Sequence, residues 1–350
     1  MKSRIHNKTE FSISLDMLLV LVILSGLSFY YYGIRALITI LISVIFCVFT
    51  DIACIKARKG HLHGHDLSSV LTGIILALMM PASVPYYIVI IAAVFSIIIS
   101  KQIFGGHGYE LFNCAAVGFI FVSLCFPAYV LQYPKPFDIL DLNYICNNAV
   151  FESDLSIKVI TAAKISPINI ISGNYIGAMG STHILVLLVG ALFLMMRRSV
   201  SAIVFFTEMI LITLFSLCFN GFSLSVLINT FGSDILLFGV IFLSCDYSTV
   251  PKTKSSRFLF GLIVSILTIV IQYAGECENA IIYAVIIAAP IGIELDKKAL
   301  SFAGMLNNSN SDFIVSMRRH FNKHLQNVNE TITLIDGDNK DNGSGKRKKS

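Results

Sequence analysis

Between residues 16 and 295 the chain returns again and again to apolar runs of roughly 16–22 residues, the length of helix that crosses a bilayer. Ten runs can be read, at about 16–33, 36–55, 66–81, 84–100, 112–131, 183–196, 200–219, 231–245, 258–274 and 279–295. In hydrocarbon every backbone N–H and C=O must be satisfied internally, which leaves helices or a closed barrel, and runs of this length select helices. The pattern therefore predicts an all-α polytopic membrane protein of about ten transmembrane helices. Composition agrees: 55% of residues are hydrophobic and 13% charged, where a soluble domain carries about a quarter charged. The first run follows a polar start and has no small-residue cleavage pattern after it, so it reads as a retained span.

Charge placement sets the expected orientation. With the N-terminus inside, 22 of the 26 Lys and Arg fall on the inner side, among them Lys56, Arg58, Lys101, Arg197, Arg198 and Lys252. The outer side keeps only Arg35, Lys135, Lys158 and Lys164. Both termini are thus expected in the cytoplasm, in a multi-pass protein of the plasma or inner membrane. The net charge of +5 is a topology signal and not a groove for nucleic acid. The expected division is a cytoplasmic N-terminus at 1–15, a five-span membrane half at 16–131, an extracytoplasmic loop at 132–182, a second five-span half at 183–296, and a basic cytoplasmic tail at 297–350. Five is odd, so the two halves would be inverted repeats, and GIILAL at Gly73 faintly echoes GVIFLS at Gly239. In the tail, Phe313, Met317, Phe321 and Leu325 recur every four residues, which suits either a basic helix on membrane lipid or a solvated charged segment.

Tyr30, Tyr31, Tyr32, Tyr86, Tyr87, Tyr129 and Tyr133 stand where spans should meet water and, with Trp absent, would form the interfacial belt. The eight cysteines show no zinc spacing. Cys47, Cys125, Cys218 and Cys245 fall in apolar runs as small hydrophobes, and Cys146 and Cys277 share the outer face, where a disulfide is conceivable.

The stretch KQIFGGHGYELFNCAAVGF, from Lys101, sets glycines and an asparagine between two apolar runs. No strand and no Gly-Lys-Ser/Thr accompanies it, so it is neither a dinucleotide fingerprint nor a P-loop. Gly105, Gly106 and Gly108 would leave backbone amides free to meet a ligand where a helix begins, with Asn113 capping that helix or binding the ligand. A re-entrant packing turn fits the same residues. Asp66 opens a span as a cap or as part of an ion path. His61, His63 and His65 read as an exposed loop and not a metal site. Glu208, Asp234 and Asp246 lie in or beside spans, where ionisable groups are functional by default; Asp66, Asp234 and Asp246 are the ion-path candidates.

DLSSVLTGIILALMMPASVP followed by SKQIFGGHGYELFNCAAVGFIFVSLCFP resembles the RnfD/NqrB family of membrane flavoproteins, which has an aspartate-led span ending in prolines and then a GK-x-x-FGG-x-G-x-N-x-FNPA segment. LLFGVIFLSCDYSTVPKTKSSRFLFGLIVSILTIVI is similar to the family's A-T-D-P-V-T-S-P region, and IGAMGSTHILVLLVGALFLMMRR to its span after the outer loop. The resemblance implies a urea-transporter-like fold of two inverted five-helix repeats with broken helices. It also implies a subunit of an Rnf-type complex that passes electrons between ferredoxin and NAD, coupled to Na⁺ or H⁺ movement. Ferredoxin and NAD would then be met only through partner subunits, and no complete catalytic site would lie on this chain. Family members carry FMN on a threonine of an S-G-A-T motif in the outer loop. Here SDLSIKVITAAKISP stands in that place, with Thr161 the positional candidate for covalent FMN and Thr182 ranked below it. Cys114 replaces the proline of FNPA. The alternative is a flavin-free solute transporter or channel-like paralogue of the same fold.

Overall fold

A computed structural model describes residues 10–58, 67–105, 110–134, 136–137, 173, 175–220, 222, 230, 235–275, 277 and 279–306. Among them there is no strand. The helices are α1 (Glu10–Tyr32), α2 (Ile34–Ala57), α3 (Ser68–Met79), α4 (Tyr86–Ser96), α5 (Cys114–Cys125), α6 (Pro127–Val130), α7 (Ile184–Met196), α8 (Ala202–Asn220), α9 (Leu236–Gly239), α10 (Lys254–Ala274) and α11 (Ala280–Leu306). Two π-helical segments extend broken helices: Ile97–Gln102 continues α4 and Val240–Ser244 continues α9. The chain divides into units Met1–Asp296 and Lys297–Ser350, and the contacts below all lie in the first. The apolar repeat of the tail lies outside the described residues.

Four helices, Phe11–Tyr32, Ile34–Ala57, Ala202–Phe219 and Lys254–Ala274, are long and apolar enough to cross a membrane. Their patterning is inverted relative to a soluble helix. α2 exposes Leu41, Ile45 and Phe49 and buries Arg35, Thr39, Ser43, Thr50 and Asp51; α8 exposes Phe206, Ile210 and Leu214. An outward apolar stripe of this kind needs lipid against it. The thiols follow the same division. Cys47 and Cys245 are buried as expected, whereas Cys125 and Cys218 are exposed on outward faces. Cys277 is a free thiol, and Cys146 lies outside the described residues. α1 is helical from Glu10 on, ahead of the first apolar run, and Ile13 already packs inward.

The short helices need partners for their ends. α3 stops at Met79 because Pro81 cannot continue it. Its carbonyls are taken up from far along the chain: Gly180 N–H donates to Leu78 O at 2.8 Å and Met179 N–H to Met80 O at 3.3 Å. Arg35 completes this end, donating from Nε to Ala82 O at 2.8 Å and from Nη2 to Ser83 O at 2.9 Å. The orientation count treats Arg35 as an outer-loop charge; it is instead a buried cap, 2% exposed. Gly73, within α3, lets α2 approach so closely that a Cβ would lie 2.7 Å from Val44 Cα. Its echo Gly239 is likewise crowded, by Ile281 Cγ2 at 2.7 Å.

Lys101 is corrected in the same way. The Ile97–Gln102 π turn carries it inward, to 1% exposure, where Nζ meets Asp51 Oδ2 at 2.9 Å and Ser69 Oγ at 2.9 Å. Gln102 Nε2 donates to the other Asp51 oxygen, and Arg58 Nη1 donates to Gln102 O at 3.2 Å. This ion pair joins α2, α3 and the π segment at the edge of the glycine-rich stretch.

Two consequences are measurable by unfolding in detergent. Lys101→Met leaves Asp51 charged and buried, and should cost about 3–5 kcal/mol, while Asp51→Leu/Lys101→Met should recover much of it. Gly73→Ala should destabilise by about 1–3 kcal/mol because its neighbour is backbone, whereas Gly26→Ala, with open space around it, should be neutral or stabilising by up to about 1 kcal/mol.

Candidate functional site

Asn113 organises one end of this unit. It precedes α5, and its Oδ1 accepts from Ala115 N–H at 3.1 Å and Ala116 N–H at 3.3 Å, partners that the first turn of a helix otherwise lacks. Capping uses only the amide oxygen. The Nδ2 group is left to donate across the fold, to Phe242 O at 3.3 Å and to Asp246 Oδ2 at 3.3 Å. Phe242 lies in the Val240–Ser244 π segment, and such turns recur at functional sites. One side chain therefore joins the start of α5 to the end of the broken α9.

Asp246 opens the turn that follows. Its carbonyl accepts from Val250 N–H at 3.0 Å and Thr249 N–H at 3.2 Å, and Ser248 Oγ donates to its Oδ2 at 2.6 Å. Burial pushes the Asp246 carboxyl above its ordinary range, while the bonds from Ser248 and Asn113 and the Lys252 charge pull it back. Lys252 Nζ donates to Tyr247 O at 2.9 Å and lies 4.3 Å from the centre of the Tyr247 ring.

Between these groups and the start of α1 is a cavity of about 150 Å³. Ile13, Met17, Leu71 and Ile75 form its apolar wall; Ser68, Glu110, Asn113, Asp246, Ser248 and Lys252 form its polar side. Ser68 Oγ donates to Glu110 Oε1 at 3.3 Å. Ligand pockets usually span about 300–1,000 Å³, so this space is too small for a whole nucleotide. Apolar side chains and hydrogen-bonding groups are interleaved in its lining, as in Ser68, Leu71, Thr72 and Ile75 along α3.

The expected site residues are distributed as follows. Asn113 and Asp246 come together, and Glu110 faces the same cavity. Gly105 adopts φ +118°, a conformation that side chains disfavour, at the end of the Ile97–Gln102 π turn, and it does not line the cavity. Gly106, Gly108, Asp66, Thr161 and Asp234 lie outside the described residues, as do His61, His63 and His65. Thr182 is fully buried. No His, Cys, Asp and Glu cluster suited to a metal occurs among the described residues.

At the opposite end of α1, Tyr31 packs on the buried His183, with ring centres 4.7 Å apart. Sequence reasoning missed this pair, together with Asp16, whose Oδ1 accepts from Arg197 Nη2 at 2.9 Å. The signal for Asp16 was an acid just inside the first apolar run.

The family model described as the NQR2, RnfD, RnfE family matches residues 2–296. The chain is similar to the RnfD subunit of the ion-translocating oxidoreductase complex of Cronobacter sakazakii, with 26% identity over 324 residues, covering 81% of this chain and 91% of that protein. The protein of the same description from Psychromonas ingrahamii is 25% identical with the same coverage, and that from Actinobacillus succinogenes is 24% identical over 297 residues, covering 74% of this chain and 83% of its own. The match spans both segments joined through Asn113 and Asp246, and the chain belongs to the NQR2, RnfD, RnfE family.

Proposed function

We propose that the chain is the membrane subunit of an Rnf-type electron transport complex, in which electron transfer between ferredoxin and NAD on partner subunits is coupled to Na⁺ or H⁺ movement. The family match over residues 2–296 carries this reading, with relatives named as a subunit of an ion-translocating oxidoreductase complex. The junction of Asn113 with Phe242 O and Asp246 supports it, because it assembles a polar cavity from the two family segments. The finer architecture is ten spans in two inverted five-helix repeats, with both termini cytoplasmic. In its favour are the broken α4 and α9, each extended by a π segment, and the crowded glycines Gly73 and Gly239.

A bound flavin would supply the step from paired to single electrons. Thr161 in the outer loop is the proposed point of covalent FMN attachment.

In-gel fluorescence tests the cofactor. Wild-type protein made in cells holding the flavin transferase should fluoresce at its own band on a denaturing gel, and Thr161→Ala should be dark. A dark wild-type band contradicts covalent attachment; if denaturation in solution also releases no flavin, the flavin-free transporter reading replaces this one.

A further inference from the structure

Glu208 takes no part in the cavity, yet it is a carboxylic acid in the middle of an apolar helix with no exposed surface at all. It lies on α8, on the face packed against α10 and the Val240–Ser244 π segment. Its Oε1 accepts a hydrogen bond from Ser244 Oγ, itself fully buried. Its Oε2 has no hydrogen-bond partner among the described residues. Nor does a lysine or arginine approach it there. α8 carries no other ionisable side chain except Cys218, and α10 has none between Arg257 and Tyr273. From the turn after the π segment Cys245 interacts with it, and a thiol brings no positive charge. The wall beside it is tight and mostly apolar: a Cβ added at Gly261 of α10 would lie 3.2 Å from Thr207 Cβ and 3.3 Å from the Val204 carbonyl, and Phe205, Met209 and Ile212 are buried on α8.

An unpaired carboxylate in such a place is costly by several kcal/mol, so the group holds a proton. A metal cation would need about six or more oxygen ligands; the side chains here offer the two of Glu208 and one of Ser244. Ser244 still lends the ionised form one donor, which keeps deprotonation within reach. Two residues beyond Ser244, Asp246 lines the cavity, so a site for release is adjacent.

We propose that Glu208 is a membrane-buried proton-binding site, holding H⁺ on Oε2 and exchanging it with water of the cavity at Asp246. The carboxyl becomes a carboxylate as one proton leaves, and the reverse on uptake. Its place in ion translocation rests on the function proposed above; its protonation does not, so the two fail separately.

The test is carbodiimide labelling of the complex in native membranes. Dicyclohexylcarbodiimide adds across the O–H of a protonated buried carboxyl and leaves an N-acylurea carrying the whole reagent mass. The expected result is an adduct on the peptide containing Glu208, lost in Glu208→Gln, falling several-fold from acidic to alkaline buffer, and unchanged by sodium chloride. Protection by sodium chloride would overturn the proposal in favour of a metal-cation site. Because the reagent needs access, infrared difference spectra across the same pH range give a second reading. A deuterium-sensitive C=O stretch that disappears in Glu208→Gln supports the proposal, and its absence, together with no adduct, refutes it.

Discussion

A helix that stops inside a bilayer leaves backbone groups that water cannot reach, and in this chain the satisfaction of those groups organises everything else. At the end of α3 the Arg35 guanidinium and the amides of Met179 and Gly180 take the carbonyls. At the start of α5 Asn113 takes two amides. At α3 the partners come from distant parts of the sequence, so closing that helix end also fixes the tertiary arrangement, whereas the α5 cap is local. Asn113 goes further: its capping oxygen serves α5, while its amino group holds the Phe242 carbonyl and Asp246.

The exterior that results is apolar, while the largely apolar interior holds several ionisable groups. Asp51, Lys101, Glu208 and Asp16 all lie at 6% exposure or less, while leucines, isoleucines and phenylalanines face out. Each buried ionisable group has a different solution. Lys101 and Asp51 neutralise one another with Ser69 and Gln102 around them, and Asp16 pairs with Arg197. Glu208 has only a serine. That difference separates groups that hold the fold from one free to exchange a proton.

Much of this was legible in the sequence. Apolar runs located the four helices long and apolar enough to cross a bilayer, because its thickness imposes a length on them, and an asparagine directly before an apolar run is a helix-start signal. Asp246 stood out as an acid beside a span. What stayed hidden depended on contacts between distant residues. Asp51 and Lys101 are separated by 50 positions, and Arg35 reaches Ala82 across 47. In a count of loop charges both cations looked like topology markers, because the count cannot tell a span-end charge that snorkels to water from one that folds inward. Glu208 was visible as an acid within a span, but its lack of a cation depends on which faces of α8 and α10 meet. The outer-loop threonine rested on resemblance alone.

The joint at Asn113 is the centre of this account, and a double-mutant cycle measures it directly. Asn113→Ala, Asp246→Ala and the double variant would be unfolded at equilibrium in mixed micelles, beside the wild type. If the amide joins the two broken helices, the two substitutions should be coupled by about 1 kcal/mol or more. Effects that add to within about 0.3–0.5 kcal/mol would mean that the two residues act independently, and that the cavity between them is not held as described.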